Sequence, residues 1–327
     1  MRIRLGLVFI SVIGVTVPGI AHSQSDSTAA IAPTVMLDGS KLKLASANVL
    51  VLDAAAGQPV YAKGADAVTP IASVTKLMTA MVVLDAGLPL DETISVGMAD
   101  LDLLKGSHSR LRLGSELSRQ EMLRLALMAS ENRAASSLAR HYPGGTAAFV
   151  AAMNEKARSL GMTNTHFSDP TGLSSDNVST ANDLARMVRA AADYDLIRQF
   201  TTTPSHYVEV QPTGQVLGYN NTNALVRAGQ WDITVSKTGF IREAGKCLVM
   251  LANIASRPMV IVLLDSYGQL TRIADANRVK YWLETGQSMP AAKLVSVKHT
   301  VKARRIKGTL PRMVKVAAPA RAKLHRA

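Results

Sequence analysis

One cysteine, Cys247, serves the whole chain of 327 residues. No disulfide can form within it, so the core must hold by packing alone. Beyond the N-terminus no apolar run is long enough to span a bilayer. The seven histidines, at 22, 108, 141, 166, 206, 299 and 325, show no paired ligand spacing, so neither a metal nor a cofactor is expected. His108 and His166 read as loop or core residues. No internal period recurs, which excludes a repeat architecture. Acidic residues are missing altogether after Glu284, where eleven Lys or Arg follow. That tail carries most of the formal charge of +13 and leaves the body nearly balanced.

The apolar content of 47% is ample for a sizeable core and excludes a disordered chain. Arg2 and Arg4 precede an apolar stretch from Leu5 to Val17, and Ala21-His22-Ser23 is a small-x-small triplet. Residues 1–23 therefore read as a removed signal peptide, and the mature protein is expected in the periplasm. No cysteine near that triplet offers a site for lipid attachment. Residues 24–44 read as a leader or linker, 45–285 as the folded domain, and 286–327 as a basic, disordered tail. Gly308, Pro311 and Pro319 break any long helix there. Loose contact of the tail with an anionic wall or membrane surface is one reading of its charge, and nucleic acid is not expected as a partner of an exported chain.

Along the body, residues 48–53 and 59–63 flank the turn at Ala56-Gly57-Gln58 and predict an antiparallel hairpin. A helix is expected over 72–86, with Gly87 as its stop. Ser118-Arg-Gln-Glu121 has the form of a reciprocal capping box opening a helix. A second helix is expected over 132–142 and another from Thr180 through Ala191. Residues 233–238, 246–254 and 258–264 read as consecutive antiparallel strands, and a last helix spans roughly 270–284. The class is α+β, with the first and last strands sharing one sheet.

Three short patterns lie on these elements. In Ser73-Val-Thr-Lys76, hydroxyl and amine stand just under one helical turn apart on the same face. A serine needs an adjacent base to become a nucleophile, and Lys76 qualifies once desolvation or a neighbouring cation favours its neutral form. The pattern also fits a helix cap beside a solvated lysine. Ser130-Glu-Asn132 lies at a helix junction, where the hydroxyl could relay a proton to a leaving amine and the carboxamide could bond a substrate amide. It equally fits two ordinary helix-boundary residues. Lys237-Thr-Gly239 falls on a strand: charge from the lysine, a donor from Thr238, and room for substrate at Gly239. An exposed strand lysine before a turn glycine looks the same.

Together, in this order, the three patterns are those of penicillin-binding proteins and class A β-lactamases. Over residues 45–285 the chain resembles the low-molecular-mass D-alanyl-D-alanine peptidases, most closely their endopeptidase branch. The longer phrases that carry this are Pro70–Thr79 (PIASVTKLMT), Leu125–Ala134 (LALMASENRA), Thr165–Leu173 (THFSDPTGL), Asn177–Thr180 (NVST) and Lys237–Phe240 (KTGF). The resemblance implies an antiparallel sheet flanked by helices, with an all-helical subdomain and the site between them. It implies Ser73 attacking a D-alanine carbonyl in peptidoglycan peptide stems, Lys76 as base, and Ser130 with Lys237 passing a proton to the departing amine. Asn132, Lys237, Thr238, Gly239 and Phe240 would bind substrate, with the Ser73 and Phe240 amides holding the oxyanion. β-Lactams would act as inhibitors.

Two departures refine the expectation. The family's carboxypeptidases place an arginine just after the strand that follows the Lys-Thr-Gly hairpin, but here Leu263–Gly268 has none before Arg272. This favours cleavage of crosslinks over trimming of pentapeptides, unless Arg272 or Arg242 swings into the cleft. The small C-terminal β domain of many carboxypeptidases also has no counterpart here. A β-lactamase would need a base for the deacylating water, and the segment after Asn132 offers Asp169, Asp176 and Asp183 without the glutamate and asparagine pair of class A. A catalytically silent wall-binding protein is the remaining alternative, and it has no need for all six of Ser73, Lys76, Ser130, Asn132, Lys237 and Thr238.

Overall fold

The computed structural model describes residues 37–290. The expected signal peptide, most of the leader, and the tail from 291 onward lie outside the described residues.

Strand β1 (Asn48–Asp53) and strand β2 (Gln58–Lys63) form the expected hairpin, with a register shift at Val51/Leu52. The main sheet is completed late in the chain by β3 (Asp232–Ile241), β4 (Gly245–Ile254) and β5 (Arg257–Ser266). Its order is β2-β1-β5-β4-β3, antiparallel throughout. The first and last strands do share the sheet, since β1 pairs with β5 from Asn48↔Leu264 to Asp53↔Met259. Strand β3, which carries Lys237-Thr-Gly239, is left at one edge.

The period of two along each central strand sends alternate apolar side chains to two separate cores. Leu50, Val249, Val260 and Val262 face the larger core under the helices. Val49, Val51, Leu248, Met250 and Ile261 face a smaller one closed by the C-terminal helix (Thr271–Thr285) through Trp282 and Val279. Burial on both faces explains why these strands read as unbroken apolar runs.

Helix α1 (Lys76–Asp85) is the central strut of the helical side, with Leu77, Met78, Ala80 and Met81 fully buried. Around it stand α2 (Arg119–Met128), α3 (Asn132–Arg140) and α4 (Gly145–Ser159), then α5 (Ala181–Ala191) and α6 (Asp195–Thr202). The capping box at α2 forms only in half. Ser118 Oγ accepts from the Glu121 amide at 3.2 Å, but the Glu121 carboxylate turns to His206 Nε2 at 2.7 Å and to Arg124. Helix α4 and the hairpin of Ser205–Val210 with Gln215–Asn220 were not anticipated from the sequence.

The segment 37–44 differs from the expected linker. Leu42 is buried, Leu37 and Leu44 pack on the smaller core, and Trp282 Nε1 donates to the Asp38 carbonyl at 3.0 Å. Just beyond, the buried Asp275 carboxylate accepts from the Ala45 and Ser46 amides and from Ser46 Oγ. The folded body therefore begins before residue 45.

A loop from Ser168 to Asn177 is pressed against the segment leading into α1. Gly172 has φ +80, and a Cβ there would lie 2.0 Å from the Ala72 carbonyl oxygen. Ala72 itself sits at φ +49, a left-handed conformation that is costly for alanine. Substituting Gly172→Ala is therefore expected to destabilise the protein by about 3 kcal/mol or more, since strain at positive φ adds to a clash with backbone that cannot yield. Urea unfolding of wild type and variant checks this, with loss of penicillin uptake in parallel.

Candidate active site

The sequence predicts a regular helix from Ala72, but Ala72–Thr75 form a short 3-10 turn, and the α-helix begins only at Lys76. Thr75 Oγ1 donates to the Ala72 carbonyl at 2.8 Å and helps hold this tighter winding. Residues three apart nearly eclipse each other in a 3-10 turn. Ser73 and Lys76 are thereby stacked, with Nζ 2.9 Å from Oγ.

Lys76 is fully buried, and its amine has two other partners: Asn132 Oδ1 and the Thr171 carbonyl oxygen, each at 2.7 Å. Both are pure acceptors. A neutral amine has two N–H bonds and one lone pair. If it donates to those two, its lone pair is left for the Ser73 hydroxyl, which is the arrangement a general base needs. Burial pushes the Lys76 pKa down to about 7, against the opposing pull of Asp169 and Glu131.

Ser130 lies between α2 and α3, as expected, and takes φ +59. Lys237 Nζ donates to Ser130 Oγ at 2.9 Å and to the Thr238 carbonyl at 3.0 Å. This second lysine is also buried, and burial, with Lys76 and Arg272 nearby, holds its pKa well below the ordinary value. Two serine-lysine pairs, from three separate stretches of chain, are thus built side by side, and Ser73 opens on a cleft of about 570 Å³ lined also by Asn132, Leu173 and Phe240.

Three residues are placed differently from expectation. Asn132 spends both ends of its amide on the protein, Oδ1 on Lys76 and Nδ2 on Ser107 Oγ at 2.9 Å. Here it orients the base, and the second N–H of its amide is left for a substrate. A Cβ on Gly239 would meet the Ile71 carbonyl at 2.8 Å, Ala72 Cβ at 3.1 Å and the Ser73 amide at 3.2 Å. The missing side chain makes room for the nucleophile's own backbone rather than for substrate. Thr238 Oγ1 donates to Thr222 Oγ1 at 2.7 Å, and Phe240 is 57% exposed at the cleft wall. Arg272 does not swing into the cleft: its guanidinium donates to the carbonyls of Gly239, at 2.8 Å, and Cys247, at 3.2 Å. Arg242 is exposed at the cleft mouth.

The sequence reading gave no role to the loop that supplies Thr171. Asp169 accepts from the amides of Thr171, Gly172 and Ser174 and from the Thr171 hydroxyl, which fixes the loop and aims the Thr171 carbonyl at Lys76. Asn177 accepts from the Ser168 and Asp169 amides and donates to Thr75 Oγ1 at 3.0 Å, tying the loop to the nucleophile's turn. Asp183 is likewise spent, on the Asn164 amide, Thr165 and Arg186. The phrases holding Asp169 and Asn177 were visible in the sequence, but a backbone carbonyl leaves no signature in residue type. Glu131, between Ser130 and Asn132, is buried, and burial raises its pKa.

Among the described residues no helix is long and apolar enough to cross a membrane. Compared with known proteins, residues 34–268 match the family model described as D-alanyl-D-alanine carboxypeptidase. A D-alanyl-D-alanine endopeptidase of Pseudomonas aeruginosa is 52% identical over 252 residues, covering 76% of this chain and 81% of that protein. Its counterpart in Escherichia coli is 50% identical over 251 residues, covering 77% and 81%. Among solved structures, a Streptomyces DD-transpeptidase superposes with a TM-score of 0.69 at 27% identity, covering 74% of this chain and 98% of that one. A penicillin-binding protein from Listeria monocytogenes in its cefotaxime-bound form gives 0.66 at 29%, with the same coverage.

The base must be unprotonated to act. The acylation rate of Ser73 is therefore expected to fall about tenfold per pH unit below about 7 and to level off above it. Stopped-flow acylation by a penicillin across this range checks the sign and the midpoint.

Proposed function

The chain belongs to the D-alanyl-D-alanine carboxypeptidase family, and from that premise we propose that it is a serine D-alanyl-D-alanine peptidase that cleaves peptidoglycan crosslinks through an acyl-enzyme on Ser73. The observation that carries the reading is the buried Lys76 amine, held by two acceptors and 2.9 Å from Ser73 Oγ.

In the first step Ser73 gives its proton to Lys76 and attacks the D-alanine carbonyl. The backbone amides of Ser73 and Phe240 stabilise the oxyanion. As the tetrahedral adduct collapses, Ser130 hands a proton to the departing amine, and Lys237, 2.9 Å away, steadies or replaces it. Water then releases the acyl group by the reverse sequence. A β-lactam enters the same path. Slow release is expected, since Asp169, a carboxylate close enough to act on Lys76, is committed to donors of its own loop.

Crosslink cleavage is favoured over trimming by two observations. Leu263–Gly268 offers no arginine for a terminal carboxylate, and Arg272 is occupied by strand carbonyls. The names of the Pseudomonas and Escherichia relatives agree. The substrate places the enzyme outside the cytoplasm, which suits a signal peptide over residues 1–23 and a periplasmic location, with the basic tail in loose contact with anionic wall or membrane.

Two measurements test this. Mass spectrometry of the penicillin adduct should place the label on Ser73, and Ser73→Ala should take up none. Mature enzyme given crosslinked and uncrosslinked muropeptides should split the crosslinked form. Loss of terminal D-alanine from free pentapeptide, with crosslinks left intact, contradicts the endopeptidase reading.

A further inference from the structure

At the mouth of the cleft, away from the two serine-lysine pairs, a second set of charges has no part in the chemistry above. Lys105 Nζ lies 2.6 Å from Glu243 Oε1, joining the loop before α2 to the turn between β3 and β4. Arg242 lines the same opening, exposed and without a hydrogen bond or ion pair among the described residues. Two cations thus stand beside one carboxylate, which pairs with Lys105 alone among the described residues.

The lysine's position is built rather than incidental. Asp102 accepts from the amides of Leu104, Lys105 and Ser107, which folds the loop into a fixed bend. Ser107 then fastens that bend to Asn132, itself bonded to Lys76. The ion pair that results is a poor stabilising device, because its side chains are 33% and 43% exposed and water screens such pairs. Lys105 and its hydrogen bond keep the Glu243 carboxyl below its usual range, so it is ionised wherever the enzyme works. Exposure makes Glu243 replaceable by any other carboxylate that reaches the same place.

We propose that Lys105 and Arg242, with Glu243 as their displaceable counter-ion, form a subsite at the cleft mouth for a free carboxylate of the peptide stem. This rests on the peptidase reading above and adds to it the charge of the substrate preferred. A stem peptide running outward from Ser73 past Phe240 meets Leu104 and Leu173 on its apolar side and these cations at its end. Glu243 fills the subsite when no substrate is present.

The test compares kcat/KM for a crosslinked muropeptide with free carboxylates against the same molecule with those carboxylates amidated, active enzyme being counted by penicillin titration. Wild type should favour the acid form about three- to fivefold, as expected for partly exposed charge pairs, and lose the preference with added salt. Arg242→Gln and Lys105→Gln should bring the ratio towards one. Glu243→Gln should raise it, about twofold, because the competing carboxylate is gone. Equal ratios in all four proteins overturn the proposal. So does a fall in Glu243→Gln alongside Lys105→Gln, since a purely structural strap loses by either change. Arg242 is exposed and unpaired, so its variant reads the subsite even if Lys105→Gln disturbs the loop. Should wild type take up penicillin but leave crosslinks whole, the endopeptidase reading fails. The same acid-to-amide ratio is then read on release of terminal D-alanine from the free stem.

Discussion

Everything in the cleft depends on one buried amine. Lys76 is fully buried and given two carbonyl-type acceptors, each 2.7 Å away, with Ser73 Oγ as the third neighbour. Desolvation disfavours the ammonium, and no carboxylate touches Nζ to restore it. The arrangement has a stability cost with a definite sign. Folding lowers this group from 10.5 to about 7, so the unfolded chain holds the extra proton between those values, and stability rises with pH across that window. The cost is fully present below it. A base at neutral pH is thus maintained at the expense of the fold that houses it.

The burden of keeping Lys76 in place falls on segments remote in sequence. Asn132 comes from the start of α3, and Thr171 from a loop whose every turn is set by Asp169 and Asn177. Gly172 and Gly239 bring two backbones onto the Ile71–Ser73 stretch from either side, closer than any side chain would permit. Left-handed conformations occur at two non-glycine residues, Ala72 beside the nucleophile and Ser130, the proton relay itself. Strain of this kind persists only where the surroundings over-determine it, and here the surroundings are that loop and the edge strand β3.

Much of this was legible in the sequence because the chemistry restricts residue type. Ser73, Lys76, Ser130 and Lys237 have few substitutes in their roles, and all but Ser73, which lies in a 3-10 turn just ahead of α1, fall on the helix, junction or strand expected. The main sheet was legible too, since strands buried on both faces are apolar without interruption. What stayed hidden acts through backbone or through tertiary partners. Thr171 contributes a carbonyl that any residue possesses. Gly239 reads as room for substrate until the Ser73 segment is seen against it. Glu121 completes a capping box in sequence but finds His206 in space. Helix α4 buries only Phe149, Met153 and Ala157, a stripe too narrow to announce itself, and starts from Gly144 with no side-chain cap. The hairpin at 205–220 likewise buries only Val208, Val210 and Tyr219, too few to stand out in the sequence.

The most direct test of the account is the titration of Lys76 itself, followed through the ε-carbon resonance of isotopically labelled lysine from about pH 5 to about pH 11, with Lys76→Arg to assign the signal. A midpoint at about 7 is the predicted result. A midpoint at the ordinary lysine value would mean that the amine stays charged at neutral pH, and it would contradict the claim that Lys76 takes the proton from Ser73.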